Sequence, residues 1–157
     1  PVGAGALQKQ FEQLKDKLKK EGLFEASRKQ AIPPYPRHVA IVTSPTGAAI
    51  QDILNIMNRR ARNVELTIVP ALVQGAGAAA SLCEAFTQAQ KLAVDVIIIG
   101  RGGGSMEDLW SFNDEKLARL IAQCEIPVIS ANFIASGISV SIICGPHLPA
   151  TSLDVVV

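Results

Sequence analysis

The sequence predicts a doubly wound α/β fold: a mainly parallel sheet of about four strands, with helices on both faces, preceded by an amphipathic N-terminal helix. Three observations predict it. Short apolar runs rich in β-branched residues recur along the chain, most of them lead into a segment of helical length, and Gly, Pro and Ser mark the junctions. Continuous apolar strands that alternate with helices are typical of a parallel sheet covered on both faces.

The order of the elements follows from the same patterns. Leu7, Phe11, Leu14 and Leu18 recur at helical spacing, which predicts a helix over 6–20 with Gly22 just beyond its end. The prolines between 33 and 36 predict an extended linker. We expect strands at 38–43, 64–69, 94–99 and 126–130, and helices at 48–60, from beyond Gly77 to about 91, and at 114–123.

Composition sets broad limits. The 157 residues suit one domain, and a formal net charge of +1 neither requires nor excludes a nucleic-acid partner. Three cysteines lie in apolar runs without metal-ligand spacing, which favours buried free thiols in a reducing compartment. No apolar run approaches the roughly 18 residues that span a bilayer, so we expect a cytoplasmic protein with no membrane partner.

Two loops are candidates for a ligand site, because ligands of open α/β sheets bind at the carboxyl ends of the strands. In the first, Ser44, Thr46 and Gly47 stand at the start of a helix, where free N–H groups and the helix dipole favour an anion. The alternative is that Ser44 or Thr46 only caps the helix. Both interpretations are open at this point.

The second loop is a predicted turn at 100–105. The guanidinium of Arg101 is permanently charged, and its planar set of N–H donors suits a phosphate. Glycine lets the backbone approach a ligand closely. The residues expected to line the phosphate site are Gly102, Gly103, Gly104 and Ser105. A merely flexible connection is the alternative. Glu107 and Asp108 follow, as candidate ligands of a divalent cation or as dipole partners of a helix.

Three further positions are ambiguous. Trp110 and Phe112 can stack on bases or pack in the core. Asp52 falls inside the first core helix. Its side chain lies either on the flank of the helix toward the carboxyl ends of the strands or in solvent. The cluster Arg59, Arg60 and Arg62 suits phosphate contact, and equally the cationic end of a helix.

These motifs together resemble the large subunit of bacterial exodeoxyribonuclease VII over residues 5–131. The matching segments are Ser44-Pro45-Thr46-Gly47-Ala48-Ala49 with Asp52, Val73-Gln74-Gly75, and Gly100-Arg101-Gly102-Gly103-Gly104-Ser105 with Glu107-Asp108-Leu109-Trp110 and Phe112-Asn113. The order and the spacing of the segments match as well as the residues.

The resemblance implies a nuclease that degrades single-stranded DNA to short oligonucleotides in complex with a small helical subunit. It carries Asp52 and Arg101 over as catalytic residues. It carries over as phosphate or DNA contacts Ser44, Thr46, Gly47, Gly102, Gly103, Gly104, Ser105, Trp110, Phe112 and Asn113. Mg²⁺ is an optional cofactor of the family. The expected organisation is an N-terminal helix and linker at 1–36, a nuclease core at 37–131 and a divergent tail at 132–157, without the family's oligonucleotide-binding domain and the helical region that attaches small subunits.

The resemblance ends at Ala131. Family members continue with a Val-Gly-His-Glu-Thr-Asp segment that provides a catalytic His and Asp, whereas this chain reads Asn132-Phe133-Ile134-Ala135-Ser136-Gly137. We therefore expect weak cleavage or none. The alternatives are a non-catalytic module that binds single-stranded DNA or phosphate, and an enzyme acting on a nucleotide or sugar phosphate.

Overall fold

A computed structural model describes residues 3–102, 110–134 and 137–142. The elements in chain order are the helix α1 (Ala4–Lys20), the strand β1 (His38–Thr43), α2 (Ala48–Arg60), β2 (Glu65–Pro70), α3 (Ala78–Gln90), β3 (Val96–Gly102), α4 (Glu115–Ala122), β4 (Val128–Ile134) and β5 (Gly137–Ile142). Short 3-10 helices cover Ala26–Arg28 and Trp110–Asn113. No described helix is long and apolar enough to cross a membrane.

The described strands form one sheet in the order β2-β1-β3-β4-β5. The first four are parallel to one another, and β5 pairs antiparallel with β4, from Ile129 opposite Ile142 to Ile134 opposite Gly137. The prediction of a mainly parallel α/β sheet is confirmed. The sequence analysis predicted no strand at Gly137–Ile142, so β5 is an addition to the predicted sheet.

Apolar side chains on both faces of the sheet form the core. On one face, the buried residues of α3 and α4, including Phe86 and Leu117, pack against Ile97 and its neighbours. On the other face, Ile50 and its neighbours in α2 pack against Ile41. The alternation of inward side chains along β1 and β3 supplies both clusters, which is why these two central strands read as continuous apolar runs.

The helix α1 ends as its sequence predicts. Gly22 has φ +76°, and its N–H donates to the Lys19 carbonyl at 3.0 Å while Leu23 N–H donates to the Leu18 carbonyl at 3.1 Å. This pair of hydrogen bonds is the Schellman motif, which needs a left-handed residue at the position of Gly22. Leu18 is fully buried, so α1 packs on the rest of the protein.

Charged side chains also hold α1 against α4. Lys17 Nζ lies 2.9 Å from Glu115 Oε1, and Arg119 bridges Glu115 at 2.7 Å and Glu21 at 2.6 Å. Hydrogen bonds from Arg119 lower the pKa of Glu21, and those from Lys17 and then Arg119 lower the pKa of Glu115. The same two glutamates raise the pKa of Arg119.

The glycine-rich segment is placed differently from the prediction. Gly100, Arg101 and Gly102 belong to β3, so a turn that begins at Gly100 is wrong for these three residues. The strand continues because a residue without a side chain at 100 lets the backbone of Ala131 in β4 come close. Gly103, Gly104 and Ser105 lie outside the described residues.

Candidate functional site

The two predicted loops follow neighbouring strands of the sheet. Val42 in β1 lies opposite Ile99 in β3, and the strands run parallel. The residues that follow, Thr43 and Ser44 on one strand and Gly100 and Arg101 on the other, therefore reach the same carboxyl edge. Tertiary structure thus brings together two segments that are far apart in sequence, at the edge where α/β proteins bind ligands.

Two polar side chains are buried among the described residues, and both lie at this edge. Thr43 is 1% exposed and Arg101 is 5% exposed. A buried guanidinium is costly unless charged or polar groups surround it. Its position at the mouth of a parallel sheet, beside the loop from β1, is the strongest indication of a functional site in the described structure.

The loop between β1 and α2 leaves a helix N-terminus open at this edge. The N-cap residue is Gly47, with φ −77° and ψ 157°, and no side chain caps the helix there. The hydroxyls of Ser44 and Thr46 instead face each other at 3.5 Å. The capping interpretation is therefore wrong, and the first N–H groups of α2, which have no partners within the helix, point toward the site.

Asp52 lies in the second turn of α2, about 6 Å along the axis from Ala48. Its side chain is exposed, while the next residue, Ile53, packs against the sheet. The carboxylate thus stands on a solvent-facing flank of the helix whose N-terminus opens at the edge. It is placed on the same α/β unit as Ser44.

The predicted DNA contacts in the short 3-10 helix Trp110–Asn113 differ in burial. Phe112 is 5% exposed and belongs to the core cluster beside α3, and Trp110 is partly buried. Asn113 lines a cavity of about 20 Å³ against Phe11 and Leu14 of α1, and its Oδ1 is buried without a hydrogen-bond partner in the described part of the chain. The burial of Phe112 favours packing in the core over direct contact with DNA, whereas the partly buried Trp110 stays a candidate for base stacking.

The described residues provide no candidate metal site. Glu107 and Asp108 lie outside the described residues, and across 3–102, 110–134 and 137–142 no group of three or more His, Cys, Asp or Glu residues is placed to hold an ion. Cys83 and Cys124 are buried and free, as predicted, and Cys144 is outside the described ranges.

Two further described groups, Asp95 and Cys83, have clearly displaced pKa values. At the opposite edge, the backbone N–H groups of His38 and Arg37 donate to Asp95 Oδ2 at 3.0 and 2.7 Å and lower the pKa of that carboxyl. Burial raises the pKa of the Cys83 thiol, and the neighbouring Asp114 raises it further. The hydrogen bonds of Asp95 stabilise the start of β1, and neither group is among the predicted site residues.

Sequence reasoning missed one buried polar residue at this edge and one backbone neighbour of Arg101 in the sheet. Thr43 is the polar last residue of β1 and follows four apolar residues, and that contrast is a signal that the sequence does carry. Asn132 lies opposite Arg101 in the register of β3 with β4, which only the pairing of the strands shows.

The fold and this edge define an open α/β-sheet protein with a buried arginine and an anion-suited helix N-terminus at the carboxyl ends of neighbouring strands. The sequence model of the family described as "Exonuclease VII, large subunit" matches residues 23–131. The chain therefore belongs to the exonuclease VII large-subunit family.

Individual relatives agree. The chain is 57% identical over 132 residues to the exodeoxyribonuclease 7 large subunit of Geobacter metallireducens, covering 83% of this chain and 29% of the relative. It is 53% identical over 131 residues to that of Oceanobacillus iheyensis, with 83% and 29% covered. It is 48% identical over 141 residues to that of Pseudomonas putida, with 90% and 31% covered. The chain thus spans about a third of the length of these relatives.

Proposed function

We propose that this chain forms the phosphodiester-hydrolysing core of an exonuclease VII large subunit and acts on single-stranded DNA. The observation that carries the proposal is the burial of Arg101 beside the open N-terminus of α2. A helix N-terminus supplies N–H donors to a phosphate, and a guanidinium supplies a fork of donors to the same oxygens. Family membership supports phosphodiester chemistry at this edge.

In this proposal the residues have distinct tasks. The α2 N-terminus and the hydroxyls of Ser44 and Thr46 hold a backbone phosphate. Arg101 stabilises the charge that develops on the phosphoryl oxygens, an interaction whose loss typically costs about 10²- to 10³-fold in rate. Asp52 orients the attacking water or Arg101. Chelation by EDTA followed by re-addition of Mg²⁺ measures whether cleavage depends on the ion.

A second candidate is binding of single-stranded DNA without cleavage. The match to the family ends at residue 131. The resemblance implies a catalytic His and a catalytic Asp in the segment that follows, and this chain continues instead with Asn132-Phe133-Ile134. Loss of a general acid or base lowers a rate by about 10²- to 10⁴-fold. On this candidate, the helix N-terminus and Arg101 retain a phosphate that the chain does not hydrolyse.

A cleavage assay on end-labelled single-stranded DNA separates the two candidates. The matched pair is Asp52→Asn and Asp16→Asn, because both aspartates are exposed on helices and only Asp52 is near the site. Hydrolysis is supported if the wild type releases short oligonucleotides, Asp52→Asn slows this release by about 10²-fold or more, and Asp16→Asn releases them at the wild-type rate. Binding without product supports the second candidate, and absence of both overturns the proposal.

The proposal also concerns the full-length protein to which this chain corresponds in part. We expect it to act with a small subunit in the cytoplasm, in line with the resemblance. Co-purification of the full-length large subunit with its small subunit, compared with this chain alone, tests which part of the protein carries the attachment.

A further inference from the structure

Four exposed arginines lie at the amino edge of the sheet, at the opposite end from the candidate site. They are Arg37, Arg59, Arg60 and Arg62, named here the amino-edge arginine patch. The backbone brings them together. Glu65 N–H donates to the Arg37 carbonyl at 2.7 Å, and Val64 N–H donates to the Ala61 carbonyl at 3.1 Å, so the end of α2 and the start of β1 flank the same turn.

The patch carries an excess of positive charge. It holds four of the seven arginines in the sequence, and in the described part of the chain none of the four forms an ion pair. Two carboxylates are near. Asp95 accepts the backbone N–H groups of Arg37 and His38, and Glu65 Oε1 lies 4.0 Å from His38 Nε2. By contrast, Arg119 is neutralised by two glutamates.

The guanidinium groups are also partly fixed in position. Arg59 Nε donates to the Asn55 carbonyl at 3.3 Å, and Arg62 Nε donates to the Asn58 carbonyl at 3.0 Å. The bond to Asn58 satisfies one of the last carbonyls of the helix, and each bond uses one of the five donors of its side chain. The terminal N–H groups are left for an external acceptor. Stabilising the helix dipole explains one or two cations here, whereas four like charges repel one another.

We propose that the amino-edge arginine patch binds the phosphate backbone of single-stranded DNA outside the catalytic edge, an inference that rests on the proposed function. Guanidinium forks suit phosphate oxygens and do not depend on base sequence. The six residues of β1 separate the two edges by about 20 Å. A long strand can therefore contact both edges, and a very short oligonucleotide contacts one of them.

The test compares two triple variants of the chain that remove the same amount of charge. Arg59→Gln/Arg60→Gln/Arg62→Gln removes most of the patch, and Lys9→Gln/Lys19→Gln/Lys20→Gln removes exposed lysines of α1. Affinity for an oligothymidylate of about 30 nucleotides, longer than the roughly 4–16 of one single-strand site, is measured across a salt series. The arginine variant is expected to lower the salt slope by about 2, because each phosphate that is no longer neutralised lowers it by about 0.7.

The outcomes separate this inference from the proposed function. Wild-type chain that does not bind the oligonucleotide overturns the proposed function itself. If the wild type binds and the salt slope of the arginine variant equals that of the wild type, the patch alone is overturned. The patch is also overturned if the salt slope decreases equally in the two triple variants, because an equal decrease indicates an effect of bulk charge. A decrease of the salt slope that is confined to the arginine variant supports the patch, provided that this variant still binds a trinucleotide, which is too short to contact both edges, as the wild type does. Circular dichroism checks that both variants are folded.

Discussion

Gly100 lies so close to Ala131 that no Cβ fits between them. A side chain at 100 meets the carbonyl oxygen of Ala131 in direct overlap, with the carbonyl carbon at 3.0 Å and the Cβ at 3.3 Å. The obstacle is backbone of the paired strand, which cannot rotate away as a side chain can. The close approach of β3 and β4 therefore requires glycine at this position, directly before Arg101.

We expect Gly100→Ala to lower the free energy of unfolding by about 1–3 kcal/mol, because the added methyl forces β3 and β4 apart. Urea unfolding measures it. Gly5→Ala is the control, since Gly5 lies in α1 with open space around its Cα, and alanine there is expected to stabilise by about 0.5–1 kcal/mol. Equal stability of Gly100→Ala and wild type would show that the strands are not packed this closely.

Acid is expected to weaken the attachment of α1 to α4. Glu21 and Glu115 have pKa values below their ordinary 4.5. A carboxyl whose pKa is lowered by folding stabilises the protein above its unfolded pKa, and that contribution is lost as pH falls through the folded value. The stabilities of wild type and Glu115→Gln in urea should therefore differ at neutral pH, and the difference should shrink as pH falls below 4.5 and disappear below the lowered pKa of Glu115 in the folded protein.

The exposed Glu125 provides the control for that series. Glu125 forms no ion pair in the described part of the chain, so Glu125→Gln should leave the stability at neutral pH unchanged. Because the glutamates and Arg119 are near the surface, added salt should also reduce the difference between wild type and Glu115→Gln. A difference that persists unchanged at low pH would contradict a role for this ion-pair network.

Asp114 is expected to stabilise the start of α4. Its carboxylate accepts the Leu117 N–H at 3.0 Å as the N-cap of the helix. Asp114→Ala should lower the free energy of unfolding by about 0.5–2 kcal/mol, whereas Asp114→Asn keeps an acceptor and should cost much less. Thermal or urea unfolding distinguishes them. A decrease in the asparagine variant as large as that in the alanine variant would mean that the charge of Asp114, and not its hydrogen bond to Leu117, stabilises the helix.

The two aromatic candidates should respond differently to substitution. Phe112 is core, so Phe112→Ala should cost about 3–5 kcal/mol of stability, and the milder Phe112→Leu should remain folded and bind single-stranded DNA as the wild type does. Trp110 is only partly buried. If it stacks on a base, Trp110→Ala weakens binding by about 1–3 kcal/mol. Weakened binding by folded Phe112→Leu would contradict the packing interpretation.

The sequence by itself determined the α/β class and most of the elements. Apolar β-branched runs and helical periodicity place β1 and α2 closely, because both signals are local, and the glycine at 22 marks the end of α1. The motif residues around Ser44 and Arg101 also indicated the family, which the match over residues 23–131 confirmed. Which of these residues catalyse or bind DNA stays a prediction.

Only the tertiary structure decided how the segments meet. The extension of β3 through Gly102 depends on the backbone of Ala131, a residue of another strand, so no local pattern predicts it. The pairing of β1 with β3 brings Thr43 and Arg101 to one edge, and burial shows that Phe112 belongs to the core. Sequence periodicity reports the face of a single element, whereas the neighbours of a side chain are set by non-local packing.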